Sequence, residues 1–337
     1  MKLHRVLAGI CAALVVSFGI SAAAYGQMAN YRVSAPYSYK NLTIFLLHGK
    51  DQASGNNILT LQEALDRKLF VVYETSDVNE LAVENLSKEF DVFIQSGDIV
   101  KGGKQDRILA VSIIIPARSG RVMIQAYCVE SGRWTKRGSE DSSKFTTSND
   151  RIVTRDLKLA ANSDRSQSDV WAKVSEAQSK LSKNVGAAVN SDASASSLQL
   201  SLENRQVAAS VAEYVKQLNG IVAGKSDVIG YAFAINGRIN SADVYVSNSL
   251  FKKLWPKMLK ATAVEAVAES NLPRLVDAPK PASVAAFMSA ADKAEAEERA
   301  GAGSTRIITR EDNENAVFEA RDEKKKLTIH KSYVKKQ

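Results

Sequence analysis

Apolar and polar positions change period several times along this chain, and each change predicts an element. Leu42 to Leu47 is a near-continuous apolar run closed by His48-Gly49, as expected of a buried strand. Gly55-Asn56-Asn57 is turn chemistry. Thr60, with Glu63 three residues on, forms a capping box for a short helix reaching Leu69. Leu69 to Tyr73 is β-branched and aromatic, and Leu81-x-Val83-x-Asn85 alternates, so both predict strands. Asp91 to Gln95 and Arg107 to Ile115 flank a polar loop and predict a hairpin. Val122 to Glu130 alternates as a long strand, with Met123, Gln125 and Tyr127 on one face. Strands this close in sequence pair most economically as an antiparallel meander.

Residues 135–165 are polar and predict irregular structure. The period then becomes helical. Ser166-x-x-Asp169 caps a helix carrying Val170, Val174, Ala177, Leu181 and Val185. A second helix carries Val207, Val211, Tyr214 and Leu218, with Gly220 at its stop. Val228 to Ile235, Asn236-Gly237 and Ile239 to Val246 form a hairpin with strong turn chemistry. A third helix spans about Ser249 to Glu269 around Pro256, and Ala285 to Ala300 is an alanine-rich fourth. Thr305 to Thr309, Ala316 to Ala320 and Leu327 to Val334 predict three closing strands. The expected fold is α+β: an antiparallel sheet, built from an N-terminal meander and a later hairpin, packed with three to four helices. Residues 41–335 read as one domain behind a tether at 27–40, with a sub-boundary near 135–165.

The first 26 residues read as a targeting leader. Lys2 and Arg5 precede the apolar run Val6 to Ile20, small residues follow, and Ala24-Tyr25-Gly26 fits a cleavage site. The expected destination is the periplasm or the exterior, and an uncleaved N-terminal anchor is the alternative. Beyond the leader Cys128 is the sole cysteine, so no intramolecular disulfide is available. The formal net charge of +8 becomes about +6 once Lys2 and Arg5 leave. That field favours an anionic small-molecule partner. It lacks the basic stripe with interleaved aromatics that would point to nucleic acid. With three histidines in all, His4, His48 and His330, the sequence calls for no metal and no cofactor.

The candidate chemistry lies between the two predicted hairpin strands, in Gly97 to Arg107. Gly97, Gly102 and Gly103 allow backbone angles closed to other residues, so successive amides can line an anion nest. Lys101 and Lys104 add mobile cations, and Arg107 adds a planar fork suited to phosphate or carboxylate. Arg133 and Trp134, just past the long strand, extend the ligand site by pairing and stacking. In a hydrolase or transferase reading, Asp98, Asp106 or Glu130 supplies a base. In a third reading the segment is only a brace in an envelope structural protein. Cys128 reads as a small core residue, His48 as a surface residue and Glu74 as a solvated one.

The string Gly97-Asp98, Lys101-Gly102-Gly103-Lys104-Gln105-Asp106-Arg107, then Cys128-Val129-Glu130 with Arg133-Trp134, then Gln167-Ser168-x-Val170-Trp171, resembles the ARPP-1 family. Phe251-x-x-Leu254-Trp255-x-Lys257-Met258-Leu259 is similar to it too, and the likeness covers roughly residues 40–335. That family's name, the ARG and rhodanese–phosphatase-superfamily-associated protein domain, comes from its associates, ADP-ribosylglycohydrolases among them. The resemblance therefore implies an association with ADP-ribose or NAD-derived ligands, and no mechanism.

Overall fold

A computed structural model describes residues 26–27, 31–53, 57–151, 154–270 and 277–336. The leader up to Tyr25 and the Gly55-Asn56 turn lie outside the described residues. Within them, the fold is α+β, with nineteen strands in three sheets and seven α-helices, four of them longer than ten residues. No helix among the described residues is long and apolar enough to cross a membrane.

The largest sheet runs in the order Gly26–Gln27, Arg32–Val33, Leu42–His48, Val228–Ile235, Arg238–Tyr245, Leu327–Lys335, Asn315–Asp322, Thr305–Glu311 and Ala296–Ala300, all antiparallel; Tyr37–Tyr39 also pairs with Leu42–His48. Two of its inner strands, Leu42–His48 and Val228–Ile235, are almost wholly apolar because both faces are covered. Leu42, Ile44 and Leu46 pack with Tyr231 and Phe233 beneath the helices Gln167–Val185, Arg205–Leu218 and Asn248–Ala268. Phe45, Leu47, Ile229 and Ala232 face the other way, onto the helix Pro281–Ala291. Burying one such side chain contributes roughly 1.5–3 kcal/mol, so this two-sided packing is the main source of stability. Asn236 and Gly237 both take positive φ, as a tight hairpin turn between right-twisted strands requires.

The second sheet runs Phe145–Arg151, Asp98–Gly102, Arg107–Leu109, Arg121–Cys128, Glu80–Asn85 and Phe70–Glu74. The third holds Ile113–Ile115, Asp91–Ile94 and Ile58–Thr60, the last pairing in parallel. The capping box is present: Thr60 Oγ1 accepts from Glu63 N–H, and Glu63 accepts from Thr60 N–H.

Three expectations need correction. The span 135–165 is not irregular throughout. Phe145–Arg151 adds an edge strand to Asp98–Gly102, and the helix Arg155–Leu159 runs on into a π-helical turn, Ala160–Asp164. The alanine-rich helix stops at Ala291, and Ala296–Ala300 is a strand. Most consequentially, Arg107 to Ile115 is not one strand. It bends at Ala110-Val111-Ser112 opposite a second bend at Gln95-Ser96-Gly97, where Gly97 has φ +89°. Asp91–Ile94 therefore pairs with Ile113–Ile115 in one sheet, and Asp98–Gly102 pairs with Arg107–Leu109 in another. The bent hairpin carries the chain between sheets, so the expected loop is mostly strand.

Candidate functional site

The Gly97–Arg107 segment does form a nest of amides, and the protein's own carboxylates fill it. Gly102 N–H donates to Asp106 Oδ1 at 3.0 Å and Lys104 N–H to Glu74 Oε2 at 3.1 Å. Gly103 N–H is shared between the carbonyls of Asp141 and Lys144. Gly102 and Gly103 have φ of +119° and +57°, and a Cβ on Gly103 would lie 2.3 Å from the Phe145 ring. Here the glycines admit a turn and an aromatic ring.

The cations of the segment are matched in the same way. Arg107 is fully buried; it donates to Val78 O at 2.6 Å and pairs with Glu74, whose side chain is 3% exposed, at 3.4 Å. Glu74, expected in solvent, is thus a buried counter-ion. Lys101 pairs with Glu203 at 2.7 Å, and Lys104 Nζ donates to Ser76 while lying 5.1 Å from the Trp134 ring centroid. Asp106 and Glu130 come together and are clamped. Arg137 donates to both oxygens of Asp106 at 2.9 and 3.1 Å, and Arg133 to both of Glu130 at 2.7 and 2.6 Å. Burial pushes the Asp106 carboxyl up against the pull of Arg137. Burial also opposes ionisation of Glu130, but the Arg133 and Ser194 bonds outweigh it and hold that carboxyl low. Asp98, the third proposed base, lies apart, accepting from Gln95 N–H and paired with Lys257 at 3.1 Å. Trp134 is 40% exposed and stacks over Arg107, 5.5 Å from its guanidinium carbon. Cys128 is a core residue as expected; burial pushes its thiol up to about 11.

A second polar cluster forms where the hairpin bends. Ser112 is the one polar residue in the run Ile108 to Ile115, and the bend turns it out of the strand ladder. Ser96 N–H, on the facing bend, donates to Ser112 Oγ at 3.1 Å. That oxygen lies 3.0 Å from His330 Nδ1. His330 Nε2 lies 3.0 Å from Asp243 Oδ1, and both residues are about 2% exposed. Sheet register builds this chain. His330 on Leu327–Lys335 sits directly opposite Tyr245 on Arg238–Tyr245, and Asp243 is two residues along on the same face. Tyr245 stacks on the imidazole at 4.8 Å, and Phe93 meets it edge-on at 5.9 Å.

Burial alone would keep Asp243 neutral. The His330 bond, with Lys158 and Arg151 nearby, outweighs it and holds the carboxyl far below the usual range. An ionised Asp243 fixes the proton on His330 Nε2 and leaves Nδ1 to accept from Ser112. The cluster is not electrically closed. Asp243 Oδ2 and Arg151 Nε are buried with no hydrogen-bond partner among the described residues. Lys158 sits 5.6 Å over the Phe233 ring, and burial lowers its ammonium despite Asp243 and Glu265. These groups surround a cavity of about 20 Å³, room for one water. A second slot of about 20 Å³, lined by Ser96, Ser112, Asn162, Arg299, Thr309 and Phe318, adjoins it, so Ser112 lines both. Among the described residues, no group of three or more His, Cys, Asp or Glu side chains converges as a metal site would require.

None of Ser112, His330 and Asp243 was among the expected site residues. The available signal was Ser112, a lone polar residue inside an apolar run; Asp243 and His330 lie on strands with several other polar residues and carried no such mark. The family-level comparison matches the model for the ARG and Rhodanese-Phosphatase-superfamily-associated Protein domain, ARPP-1, over residues 30–334. No curated protein and no solved structure matches the chain. With nearly its whole length matched, the chain belongs to the ARPP-1 family.

Proposed function

We propose that this protein is a hydrolase of ester-type substrates, with Ser112 as nucleophile, His330 as general base and acid, and Asp243 orienting the imidazole. The observation that carries this reading is the unbroken chain from Ser112 Oγ through His330 to Asp243, with both links at 3.0 Å. Nucleophile, base and orienting carboxylate in mutual hydrogen-bond reach recur in serine catalysis on unrelated folds, with the imidazole here turned round, Nδ1 to the serine and Nε2 to the carboxylate. Ser112 Oγ attacks the carbonyl carbon and its proton passes to His330 Nδ1. Asp243 stabilises the imidazolium. The ester C–O bond breaks, the leaving alcohol takes the proton from His330, and the acyl group remains on Ser112. Water then attacks that acyl group, gives its proton to His330, and Ser112 recovers it as the acid departs. Ser96 N–H supports the first step by occupying one lone pair of Ser112 and turning its hydrogen toward the imidazole.

The Gly97–Arg107 hairpin then serves as a brace, with its amides and cations committed to Asp106, Glu74 and Glu203. The leader-like N-terminus supports placing the activity outside the cytoplasm. Hydrolysis of 4-nitrophenyl acetate by wild type and Ser112→Ala, with thermal melts of both, tests the reading. Turnover falling at least about a hundredfold at unchanged melting temperature supports it. Equal turnover in both proteins, or none in either, removes it.

A further inference from the structure

We infer that the substrate of the Ser112 site carries an oxyanion, a carboxylate or phosphate, and that Arg299 holds it. The inference rests on the hydrolase reading and names the substrate class for that site. Register across the large sheet sets Arg299, Ile307, Ala320, His330 and Tyr245 in one row on one face, each opposite the next. Three strand spacings, about 14 Å of backbone, separate Arg299 from His330. Between them the floor is Ile307 and the small Ala320, and Thr309 and Phe318 lie alongside. The row thus carries the proton relay at one end and a guanidinium at the other, over buried Ile307 and Ala320, and the slot beside it has a volume of about 20 Å³. Ser112 and Arg299 line the same slot.

Arg299 is also the cation in this row without a counter-ion. Its Nε is buried and makes no hydrogen bond, and among the described residues it forms no ion pair. Burial lowers its guanidinium, and the nearby Arg165 lowers it further. Tyr127 and Glu297 pull the other way but only in part. Glu319 borders the slot, but its carboxylate is committed to Arg310 at 3.2 Å and Thr328 at 2.7 Å. Glu297, two residues away on the strand, is exposed and makes no ion pair with it. A half-buried guanidinium beside a second arginine is costly unless an anion covers it. Arg presents a fork that matches carboxylate and phosphate oxygens.

The test compares 4-nitrophenyl hydrogen glutarate with the neutral 4-nitrophenyl butyrate. Wild type is expected to prefer the anionic ester in kcat/KM by at least about tenfold, and Arg299→Met to lose that preference. Free glutarate and inorganic phosphate are run in parallel as blockers of fluorophosphonate labelling at Ser112. Either should slow labelling of wild type and neither should slow Arg299→Met; which blocks better separates carboxylate from phosphate. Equal rates on both esters in wild type, or a preference surviving in Arg299→Met, overturns the inference while leaving the hydrolase reading intact. Absence of both turnover and labelling overturns the two together.

Discussion

Two buried polar clusters, some of whose members sit on the same bent hairpin, differ in how their charges are balanced. Around Asp106, Arg107 and Glu130, each carboxylate meets a guanidinium, two of them through paired bonds, and the turn amides are taken. Among the described residues, Arg107 Nε and Glu140 Oε2 are left over. Around Ser112, His330 and Asp243 the balance is left open. Among the described residues, one carboxylate oxygen and two guanidinium nitrogens lack partners, and a lysine is buried without an ion pair. A closed network fixes one conformation of the chain. An open one keeps electrostatic capacity for something that arrives. On the proposed reading, the cluster richest in charged residues is the brace, and the sparser one is the place for chemistry.

The comparison breaks if the brace proves dispensable. Arg107→Ala removes the partner of a carboxylate that is nearly inaccessible, which should cost about 3–5 kcal/mol in urea unfolding. A loss below about 1 kcal/mol would show that this network does not hold the hairpin. A smaller effect sharpens the other side. Asp243→Asn keeps the shape and removes the charge, costing roughly 1.5–3 kcal/mol at pH 7. The folded carboxyl of Asp243 lies below its unfolded value, so its contribution is present above about pH 4 and fades as pH falls toward the folded pKa. The stability gap between wild type and Asp243→Asn should therefore narrow on acidification below about pH 4, followed by denaturant melts. A gap that widens there would contradict an ionised Asp243.

Much of the fold could be read from the chain because local rules and burial agreed. The Thr60–Glu63 capping box, the Asn236-Gly237 turn and the apolar faces of the long helices all appear where expected. The bend at Ala110 to Ser112 was hidden for a physical reason: a continuous apolar run suits one buried strand or two strands meeting two sheets equally well. Glycines at 97, 102 and 103 announced special backbone; Gly97 sits at the bend, Gly103 makes room for the Phe145 ring and the Gly102 amide bonds Asp106. The Ser112–His330–Asp243 chain was out of reach because it joins residues 87 and 218 positions apart through sheet register, which sequence spacing does not carry.

The most direct measurement treats the intact protein with a fluorophosphonate, digests it and maps the adduct by mass spectrometry. A single adduct on Ser112, lost in His330→Gln while the fold is retained, is the predicted result. No adduct, or one on any other residue with Ser112 untouched, would contradict the assignment of chemistry to the open cluster.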